Sequence, residues 1–364
     1  MRTVARLLFV ADASRLADRA ISLANSRMAS QRRNGVSGDT SKHNTPLNPD
    51  GVYYIINVMP KLLLLSKKDD ADYRRLIAKA QLPGLDGIVS EPTDDCDIVL
   101  GSPYMLRELL PSLPALRWAQ SSWAGVEPLL DPSLRRDYIL TNARGVFGGL
   151  MSEYVFGYML AHEKKIFERR RSQDAKQWDR AESGLLRGKT VGLLGVGSIG
   201  AHLAATAKHF GMKVKGYTRS SRESKYVDVY FHGGGLLPFA DGLDYMVVIL
   251  PNTRATTQIV NAALLNALPP RAVVINVGRG NAVDESALVE ALTQNRIAGA
   301  VLDVTEQEPL PAQHPFWTTP NLTLTFHTSA ISYPEDIMRV FVENYHLYIE
   351  GKPLKYQVNF EKGY

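Results

Sequence analysis

Three polar residues that each follow a predicted strand could carry chemistry. Arg279 lies in I-N-V-G-R-G, Glu308 in L-D-V-T-E-Q-E-P-L-P and His327 in F-H-T-S-A. Taken singly, such residues are usually solvated loop charges or ordinary polar side chains. In a parallel α/β sheet the carboxyl ends of the strands share one edge, so we expect the three side chains to meet there. An arginine binds a carboxylate, and a histidine held by a glutamate transfers a proton, so the set predicts acid–base chemistry on an anionic substrate.

A glycine-rich turn earlier in the chain predicts a dinucleotide site. The sequence T-V-G-L-L-G-V-G-S-I-G leads from an apolar strand into a helical run. Gly195 permits a tight turn, Gly197 lets a pyrophosphate approach the backbone, and Gly200 lets the helix pack on the sheet. Free N–H groups at the start of the helix favour the phosphates. We therefore predict cofactor contacts from these glycines, Ser198 and Ile199; a glycine turn in an ordinary α/β domain is the alternative.

The loops after the neighbouring strands complete the predicted nucleotide site. Ligands of such sheets bind outside the carboxyl ends of the strands. Three apolar runs of the second half each lead into a loop that is polar or contains glycine. The contacts predicted from these loops are Leu250, Pro251, Asn252, Val277, Gly278, Arg279 and Asp303.

The end of the second strand of this unit predicts which cofactor is used. An NAD enzyme usually has an acidic residue there, about 20 residues after the glycine turn, to bind the ribose 2′-hydroxyl. Here the chain reads Y-T-R-S-S-R, and no carboxylate follows before Glu223. Arg219 and Ser220 suit a 2′-phosphate, so we predict that NADP(H) is preferred. If these arginines are only solvated loop charges, NAD(H) binds as well.

Alternating strands and helices position these residues from residue 52 onward, which is the pattern of an α/β fold. The first part of the chain predicts strands at 53–58, 61–65, 98–100 and 116–119 and helices at 70–80, 104–110 and 151–171. The second part predicts a doubly wound sheet of six or seven strands. Its remaining strands are expected at 245–250, 272–277, 299–303 and 322–326, and helices at 198–210, 256–268, 284–294, with Asp284 as N-cap, and 334–350.

Composition excludes several classes of protein. The chain has 364 residues, of which 45% are hydrophobic and 22% charged, as in a soluble protein of two domains. The single cysteine, Cys96, excludes an internal disulfide, and no apolar run reaches the roughly 18 residues that span a membrane. Much of the net charge of +5 lies in the first 50 residues. We therefore predict no nucleic-acid partner, no membrane partner and no metal site.

The first 50 residues differ from the rest of the chain. They are rich in arginine and serine, with leucines at amphipathic spacing, and contain four aspartates. This composition resembles an organelle transit peptide, so we predict mitochondrial targeting. The alternative is a disordered extension of a cytoplasmic protein, and residues 30–50 would be a linker in either case.

The motifs quoted above resemble the D-isomer-specific 2-hydroxyacid dehydrogenase family. I-N-V-G-R-G and L-D-V-T-E-Q-E-P-L-P follow the glycine turn, and a histidine follows Glu308 by 19 positions. The resemblance covers about residues 52–364. The motifs L-P-N-T, P-L-P-A-Q-H-P-F-W and the C-terminal G-K-P-L-K-Y-Q-V-N-F-E-K-G-Y are most similar to the glyoxylate/hydroxypyruvate reductase branch. In one departure, many members have Pro just before the histidine and Gly soon after it, where this chain has Phe326 and T-S-A.

The resemblance implies reduction of small 2-oxo acids to D-2-hydroxy acids by hydride transfer from a nicotinamide. The family assigns carboxylate binding to the arginine and the proton to the histidine, here Arg279 and His327. Glu308 matches the carboxylate that orients the imidazole and favours its protonated form. Reduction should therefore be fastest at neutral or mildly acid pH, and oxidation at alkaline pH.

The run S-S-W-A-G-V-E matches the substrate loop of the family, which holds the substrate carboxylate with backbone N–H groups. Here these groups belong to Trp123, Ala124 and Gly125, and they would act together with Arg279. Glycine allows the close approach of the backbone. The Trp123 side chain either lines the substrate pocket or packs beneath the loop.

The resemblance also implies an architecture of two Rossmann-like lobes with a cleft between them. A doubly wound parallel-sheet dinucleotide-binding domain would comprise residues 151–330. A flavodoxin-like substrate domain would comprise residues 51–150 plus 331–364, because the C-terminal helix returns to it. Residues 1–50 would be the targeting or disordered segment. A homodimer is implied, with residues 142–149 and 151–171 as the region to test.

Two alternatives remain open. The same fold and the same three residues occur in the C-terminal-binding corepressor proteins, which use the dinucleotide as a ligand for assembly. A regulatory binding module is therefore one alternative. The other is a sibling dehydrogenase that acts on another acid, such as formate or phosphoglycerate.

Overall fold

The computed structural model describes residues 59–219 and 224–363. Three predictions fall outside these ranges: the segment 1–50, the strand at 53–58 and the cofactor contact of Ser220. The described residues belong to one compact unit that contains two parallel sheets. No helix within the described ranges is both long and apolar enough to cross a membrane.

The first sheet is built of five short parallel strands. They are β1 (Lys61–Leu65), β2 (Gly87–Val89), β3 (Ile98–Gly101), β4 (Trp118–Ser121) and β5 (Ile139–Thr141), with helices α1 (Asp70–Ala80) and α2 (Pro103–Leu109). Their order is β2-β1-β3-β4-β5. This is the flavodoxin-like order of a doubly wound sheet, as predicted. We call this sheet and its helices the first lobe.

The second sheet has seven parallel strands. They are β6 (Thr190–Leu194), β7 (Lys213–Tyr217), β8 (Val229–Phe231), β9 (Tyr245–Val248), β10 (Val273–Asn276), β11 (Gly299–Leu302) and β12 (Leu322–Leu324). The helices are α3 (Gly148–Glu163), α4 (Ile166–Asp174), α5 (Ser198–His209), α6 (Leu236–Ala240), α7 (Ala262–Ala267) and α8 (Glu285–Thr293). The order is β12-β11-β10-β9-β6-β7-β8, which reverses between β6 and β9. We call this sheet and its helices the second lobe. Its strand order is that of the predicted doubly wound, dinucleotide-binding domain.

Continuous apolar runs form the central strands because both faces of each sheet are covered. Strand β9 reads Y-M-V-V and β10 reads V-V-I-N, and every residue in both is buried. The strands of parallel sheets are typically continuous apolar runs of this kind, which is why the sequence predicts these strands. Asp284 caps α8 as predicted, since its side chain accepts from the Ala287 N–H at 3.0 Å.

The last helix, α9 (Pro334–Ile349), packs on the first sheet, as the family resemblance implied. Phe341 stacks on Trp118, with ring centroids 5.1 Å apart and planes at 11°. The Tyr348 hydroxyl donates to the Asp97 carboxylate at 3.1 Å. The C-terminal part of the chain therefore completes the first lobe. The domain boundaries at residues 150 and 330 stay a prediction.

Two predicted helices differ from the structure. The predicted run 151–171 is two helices, α3 and α4, because Lys165 interrupts it with a left-handed backbone of φ 53°. The predicted helix 256–268 begins only at Ala262, where Asn261 accepts from the Leu264 N–H at 3.1 Å as the N-cap. The strand predicted at 116–119 lies two residues later, as β4. The short strands β2, β5 and β8 and the short helix α6 are not predicted.

Removing the Phe341 ring should destabilise the first lobe. Phe341→Ala empties a fully buried site beside Trp118, so we expect the free energy of unfolding to fall by about 3–5 kcal/mol. Urea unfolding followed by tryptophan fluorescence measures this change. Ile349→Ala, at an exposed position of the same helix, is the matched control and should lower it by no more than about 1 kcal/mol. Equal effects of the two substitutions would contradict this packing.

Candidate active site

The glycine turn between β6 and α5 forms an open cradle at the carboxyl end of the strands of the second sheet. Gly195 has φ +107°, and a Cβ there would lie 2.7 Å from the Ile249 carbonyl oxygen. A Cβ on Gly200 would collide with the Gly195 carbonyl. At Gly197, which directly precedes Ser198 of α5, a Cβ would meet nothing within 4 Å. The turn therefore leaves room for a pyrophosphate against the backbone, and it fits the predicted dinucleotide.

The other predicted cofactor residues lie around this cradle. Strands β6, β9, β10 and β11 are neighbours in that order, so the loops after them lie side by side. A Cβ on Gly278 would lie 2.7 Å from the Leu250 nitrogen, which shows that the loops after β9 and β10 touch. The structure places Ser198 and Ile199 in α5, Leu250, Pro251 and Asn252 after β9, Val277, Gly278 and Arg279 after β10, and Asp303 after β11.

Arg219 lies two residues beyond the end of β7, the strand next to β6. Its side chain is exposed. In a dinucleotide-binding sheet this is the place where the 2′ position of the ribose is recognised. The structure thus puts Arg219 where the sequence predicts it.

His327 and Glu308 form a hydrogen-bonded pair at the same edge of the sheet. His327 Nδ1 lies 2.7 Å from Glu308 Oε2, and since an ionised carboxylate only accepts, Nδ1 carries the hydrogen. Glu308 is itself held by the Thr305 N–H, which donates to Oε1 at 3.1 Å. The imidazole is 53% exposed. With Nδ1 engaged, Nε2 is the nitrogen that can exchange a proton with a substrate.

The loop that carries His327 has an uncommon backbone conformation. Phe326 and His327 have φ of 56° and 58°, in the left-handed region. Asp303, only 3% exposed, accepts from the N–H groups of Thr328 at 2.7 Å and Ser329 at 3.1 Å. The Asp303 carbonyl accepts from the His327 N–H at 2.6 Å. The sequence predicts a cofactor contact for Asp303, whereas in the structure its carboxylate holds the histidine loop.

This conformation accounts for the departure from the family pattern at Phe326. Proline is confined to a φ of about −65°, so it cannot adopt the backbone of this position. The Phe326 ring instead stacks on Trp317, with centroids 5.8 Å apart. The backbone conformation just before His327 is therefore one that a Pro-His sequence cannot adopt.

Arg279 reaches across the cleft between the two lobes to the loop that follows β4. Its Nε donates to Glu127 Oε1 at 2.7 Å, and its Nη1 donates to the Gly278 carbonyl at 2.8 Å. A Cβ on Gly125 would collide with Arg279 Nη2, so this glycine lies directly against the guanidinium. The predicted cation and the predicted substrate loop therefore meet. Glu127 joins them, and its only signal in the sequence is its place at the end of S-S-W-A-G-V-E.

The charges in the cleft keep Glu127 ionised. Burial alone would raise the pKa of Glu127, but the Arg279 guanidinium and its hydrogen bond lower this pKa below the ordinary glutamate value. A protonated His327 also lowers it, so the imidazole lies within electrostatic reach of Glu127. Together with Glu308, these residues form one site of two basic and two acidic groups. Among the described residues, no group of three or more His, Cys, Asp or Glu could hold a metal ion.

The substrate loop offers two of the three predicted N–H groups. The Trp123 N–H donates to Ser121 Oγ at 3.0 Å and is thus engaged inside the loop, and its contact with substrate stays a prediction. Within the described part of the chain, the N–H groups of Ala124 and Gly125 have no protein acceptor. The Trp123 ring is 43% exposed and packs edge-on against Tyr104 at 5.5 Å between centroids. It is therefore available as a wall of the pocket.

Two doubly wound lobes, with Arg, Glu and His at the edge of the second sheet, define a dinucleotide-dependent dehydrogenase. The model of the D-isomer specific 2-hydroxyacid dehydrogenase NAD-binding domain matches residues 156–329. A glyoxylate/hydroxypyruvate reductase A of Photorhabdus laumondii is 31% identical over 278 residues, which cover 74% of this chain and 88% of that protein. The chain belongs to the D-isomer specific 2-hydroxyacid dehydrogenase family, which confirms the resemblance.

Solved structures agree with this assignment. A family member from Aeromonas salmonicida is 42% identical, with a TM-score of 0.79 over 83% of this chain and 99% of that one. An NADPH-dependent glyoxylate/hydroxypyruvate reductase from Sinorhizobium meliloti, solved with NADP and sulfate, is 28% identical, with a TM-score of 0.73 over 84% of this chain and all of that one. The fold class is thereby confirmed. These relatives are bacterial and give no support to the predicted mitochondrial targeting.

Phe326→Pro, which introduces the residue that many family members have, should impair this enzyme. It forces the backbone before His327 out of the left-handed region and moves the imidazole from Glu308. We expect kcat to fall by on the order of 100-fold, since small misplacements of a reacting group have effects of this size. Phe326→Gly also removes the ring but accepts the left-handed backbone, so it is the matched control and should keep kcat within about tenfold. Steady-state kinetics of both variants test this, and a harmless proline would refute it.

Proposed function

We propose that this protein reduces small 2-oxo acids, such as glyoxylate and hydroxypyruvate, to D-2-hydroxy acids with NADPH as the hydride donor. The observation that carries the proposal is the placement of the His327–Glu308 pair and Arg279 around the glycine cradle of one sheet. A cation for a carboxylate, a proton donor and a nucleotide site are the parts that such a reduction needs. The relatives named as glyoxylate/hydroxypyruvate reductases support the substrate class.

The substrate carboxylate is held between the two lobes. Arg279 lies against Gly125, and the N–H groups of Ala124 and Gly125, which have no acceptor among the described residues, are on the same loop. A carboxylate between the guanidinium and these N–H groups would receive charge-assisted hydrogen bonds from both lobes. Arg279 would also polarise the neighbouring keto oxygen and stabilise the negative charge that develops there. Binding at this point orients the carbonyl toward His327.

His327 supplies the proton. When bound, the nicotinamide supplies a hydride to the keto carbon and is oxidised as the acid is reduced. As the C=O π electrons move onto oxygen, Nε2–H of the imidazolium gives its proton to that oxygen, and the ring is left neutral. Glu308 holds Nδ1–H throughout, so Nε2 stays aimed at the carbonyl. Solvent returns the proton to the half-exposed ring.

The direction of the reaction should depend on pH in a defined sense. Reduction consumes a proton from His327, so it requires the imidazolium and is favoured at neutral or mildly acid pH. Oxidation of the hydroxy acid requires the neutral ring as a base and is favoured at alkaline pH. In both directions the Glu308 carboxylate accepts from Nδ1–H, so the proton is exchanged at Nε2.

NADP(H) is the cofactor we propose, with NAD(H) as the weaker alternative. Arg219 follows β7, where a 2′-phosphate would lie, and it brings a positive charge there. The Sinorhizobium meliloti relative was solved with NADP. Both observations support the phosphorylated cofactor.

We also propose a homodimer that uses the region of residues 142–149 and 151–171. Phe156 and Met159 of α3 are buried in the core of the second lobe, so they are not free to form such an interface. Ile166 and Phe167 of α4, in contrast, are exposed. These apolar side chains suit a contact with a second copy of the chain.

Replacing His327 tests the chemical step. His327→Ala should lower kcat for glyoxylate reduction by about 100- to 10,000-fold, because the general acid is lost while the substrate is still bound. NADPH consumption at saturating glyoxylate measures it. His209→Ala, an exposed histidine at the end of α5, is the control and should keep full activity. Unchanged kcat in His327→Ala would overturn the mechanism, and a wild-type protein inactive on every 2-oxo acid would favour a regulatory binding module.

Replacing Arg219 tests the choice of cofactor. Arg219→Ala should raise KM for NADPH by about tenfold or more and leave KM for NADH nearly unchanged, because only the 2′-phosphate loses a charge-assisted contact. Arg296→Ala removes the same charge from an exposed position three residues after α8 and should change neither constant. A ratio of the two KM values that is the same in wild type and Arg219→Ala would show that Arg219 does not select the cofactor.

A further inference from the structure

The loop that carries Glu308 is held by a carboxylate at the start of α8. Glu285 Oε1 accepts from the Glu306 N–H at 2.9 Å, and Glu285 Oε2 lies 3.1 Å from His314 Nε2. The Glu285 and His314 side chains are only 17% and 20% exposed. One carboxylate therefore holds the chain at two points, one before Glu308 and one after it.

The point after Glu308 is fixed to the core of the second lobe. The Phe316 N–H donates to His314 Nδ1 at 3.2 Å, so this nitrogen has a lone pair and the ring hydrogen is on Nε2. Nε2 is thus the donor to Glu285. The Phe316 ring is buried in the core and lies edge-on to the imidazole of His314, with centroids 4.6 Å apart. His314 therefore holds the Glu285 carboxylate in a defined position.

The point before Glu308 sets the position of the Glu308 carboxylate. The Thr305 N–H, one residue before the group that Glu285 holds, donates to Glu308 Oε1 at 3.1 Å. Glu308 Oε2 lies 2.7 Å from His327 Nδ1. A chain of contacts thus leads from Glu285 through the backbone of residues 305–306 and through Glu308 to the imidazole of His327.

The same stretch of backbone also rests on Gly280, the residue that follows Arg279. A Cβ at Gly280 would collide with the Thr305 carbonyl and with the Glu306 nitrogen. The loop therefore has no room to move toward Gly280. Without the Glu285 carboxylate it could move away from this glycine, which would displace Glu308.

We propose that Glu285 is a positioning residue of this enzyme: it holds the loop of Glu308 so that Glu308 keeps the His327 imidazole aimed at the substrate. The inference rests on the proposed function, because it concerns the proton donor of that same site. Hydrogen bonds to the residues around a reacting group fix the geometry of that group before the substrate binds. Glu285 supplies two such bonds from a helix of the second lobe.

Removing this carboxylate should slow the chemical step. With NADPH and glyoxylate, Glu285→Ala should lower kcat about tenfold or more, because small displacements of a reacting group have effects of this size, and KM for NADPH should change little. Glu290→Ala removes the same charge from an exposed position of α8 and should keep kcat within about twofold of wild type. A Glu285→Ala enzyme with the kcat of wild type would overturn the proposal.

A double-mutant cycle separates positioning from a general effect on stability. An acidic residue in the first turn of a helix also stabilises that helix, and this effect would not depend on Glu308. In a Glu308→Ala background the link to His327 is already broken, so adding Glu285→Ala should lower kcat by no more than about twofold further. A further loss as large as that in the wild-type background would assign Glu285 a structural role alone and would overturn the proposal.

His314 provides a second pair of variants in case Glu285→Ala does not fold. His314→Gln keeps an N–H donor near the place of Nε2, whereas His314→Leu has no donor for Glu285. The kcat of His314→Gln should therefore exceed that of His314→Leu by about fivefold or more. Equal values in the two variants would then count against the proposal and overturn it.

The wild-type protein and His327→Ala tell this proposal apart from the proposed function. If glyoxylate reduction is lost in His327→Ala but unchanged in Glu285→Ala, the positioning role is overturned and the proposed function stands. A wild-type protein that reduces no 2-oxo acid would overturn the proposed function, and the positioning role with it.

Discussion

The hydrogen bonds of one buried carboxylate hold the site in place. Asp303 accepts from two backbone N–H groups after His327 and from the Thr325 hydroxyl at 2.7 Å. Two consecutive left-handed residues are strained by about 1–3 kcal/mol each, so they persist only where the surroundings compensate. The Tyr154 hydroxyl of α3 also contacts Thr325, which ties the loop to a long helix. The position of the His327 imidazole thus depends on Asp303, although the Asp303 side chain does not contact the ring.

The site also requires that the two lobes meet at the carboxyl ends of the strands of the second sheet. Parallel strands bring the loops after β9, β10 and β11 together, because all carboxyl ends point the same way. The loop after β4 contributes from the other lobe, and the Arg279–Glu127 ion pair joins the two. Each basic group of the cleft therefore has an acidic partner, and the partners lie on different elements. An enzyme built in this way can orient both groups before the substrate arrives, which lowers the reorganisation needed at the reaction step.

Much of the fold is predictable from the sequence, since buried parallel strands are apolar runs and helices carry their own start signals. Strand β1 and helix α1 have the predicted bounds, and Asp284 caps α8 as its residue type suggests. The break between α3 and α4 could not be predicted, because Lys165 adopts a left-handed backbone that usually indicates glycine or asparagine. The start of α7 was misplaced because helical spacing continues through a turn. The local sequence pattern predicts helices and strands, and this prediction fails where tertiary contacts override the local preference.

The three acidic residues of the site have different roles, and the sequence alone does not distinguish these roles. Glu308 was identified from its motif, but the motif alone does not distinguish its role from those of Asp303 and Glu127. Burial and partners make that distinction: Asp303 is 3% exposed and accepts bonds from a loop, whereas Glu308 and Glu127 are both 38% exposed and each faces a basic group of the cleft. Glu127 and Arg279 are 152 positions apart, so no local pattern could join them. A carboxylate in the loops at this end of the sheet is therefore a candidate site residue by type, but its exposure and its partner decide whether it supports the backbone, holds the imidazole or pairs with the guanidinium.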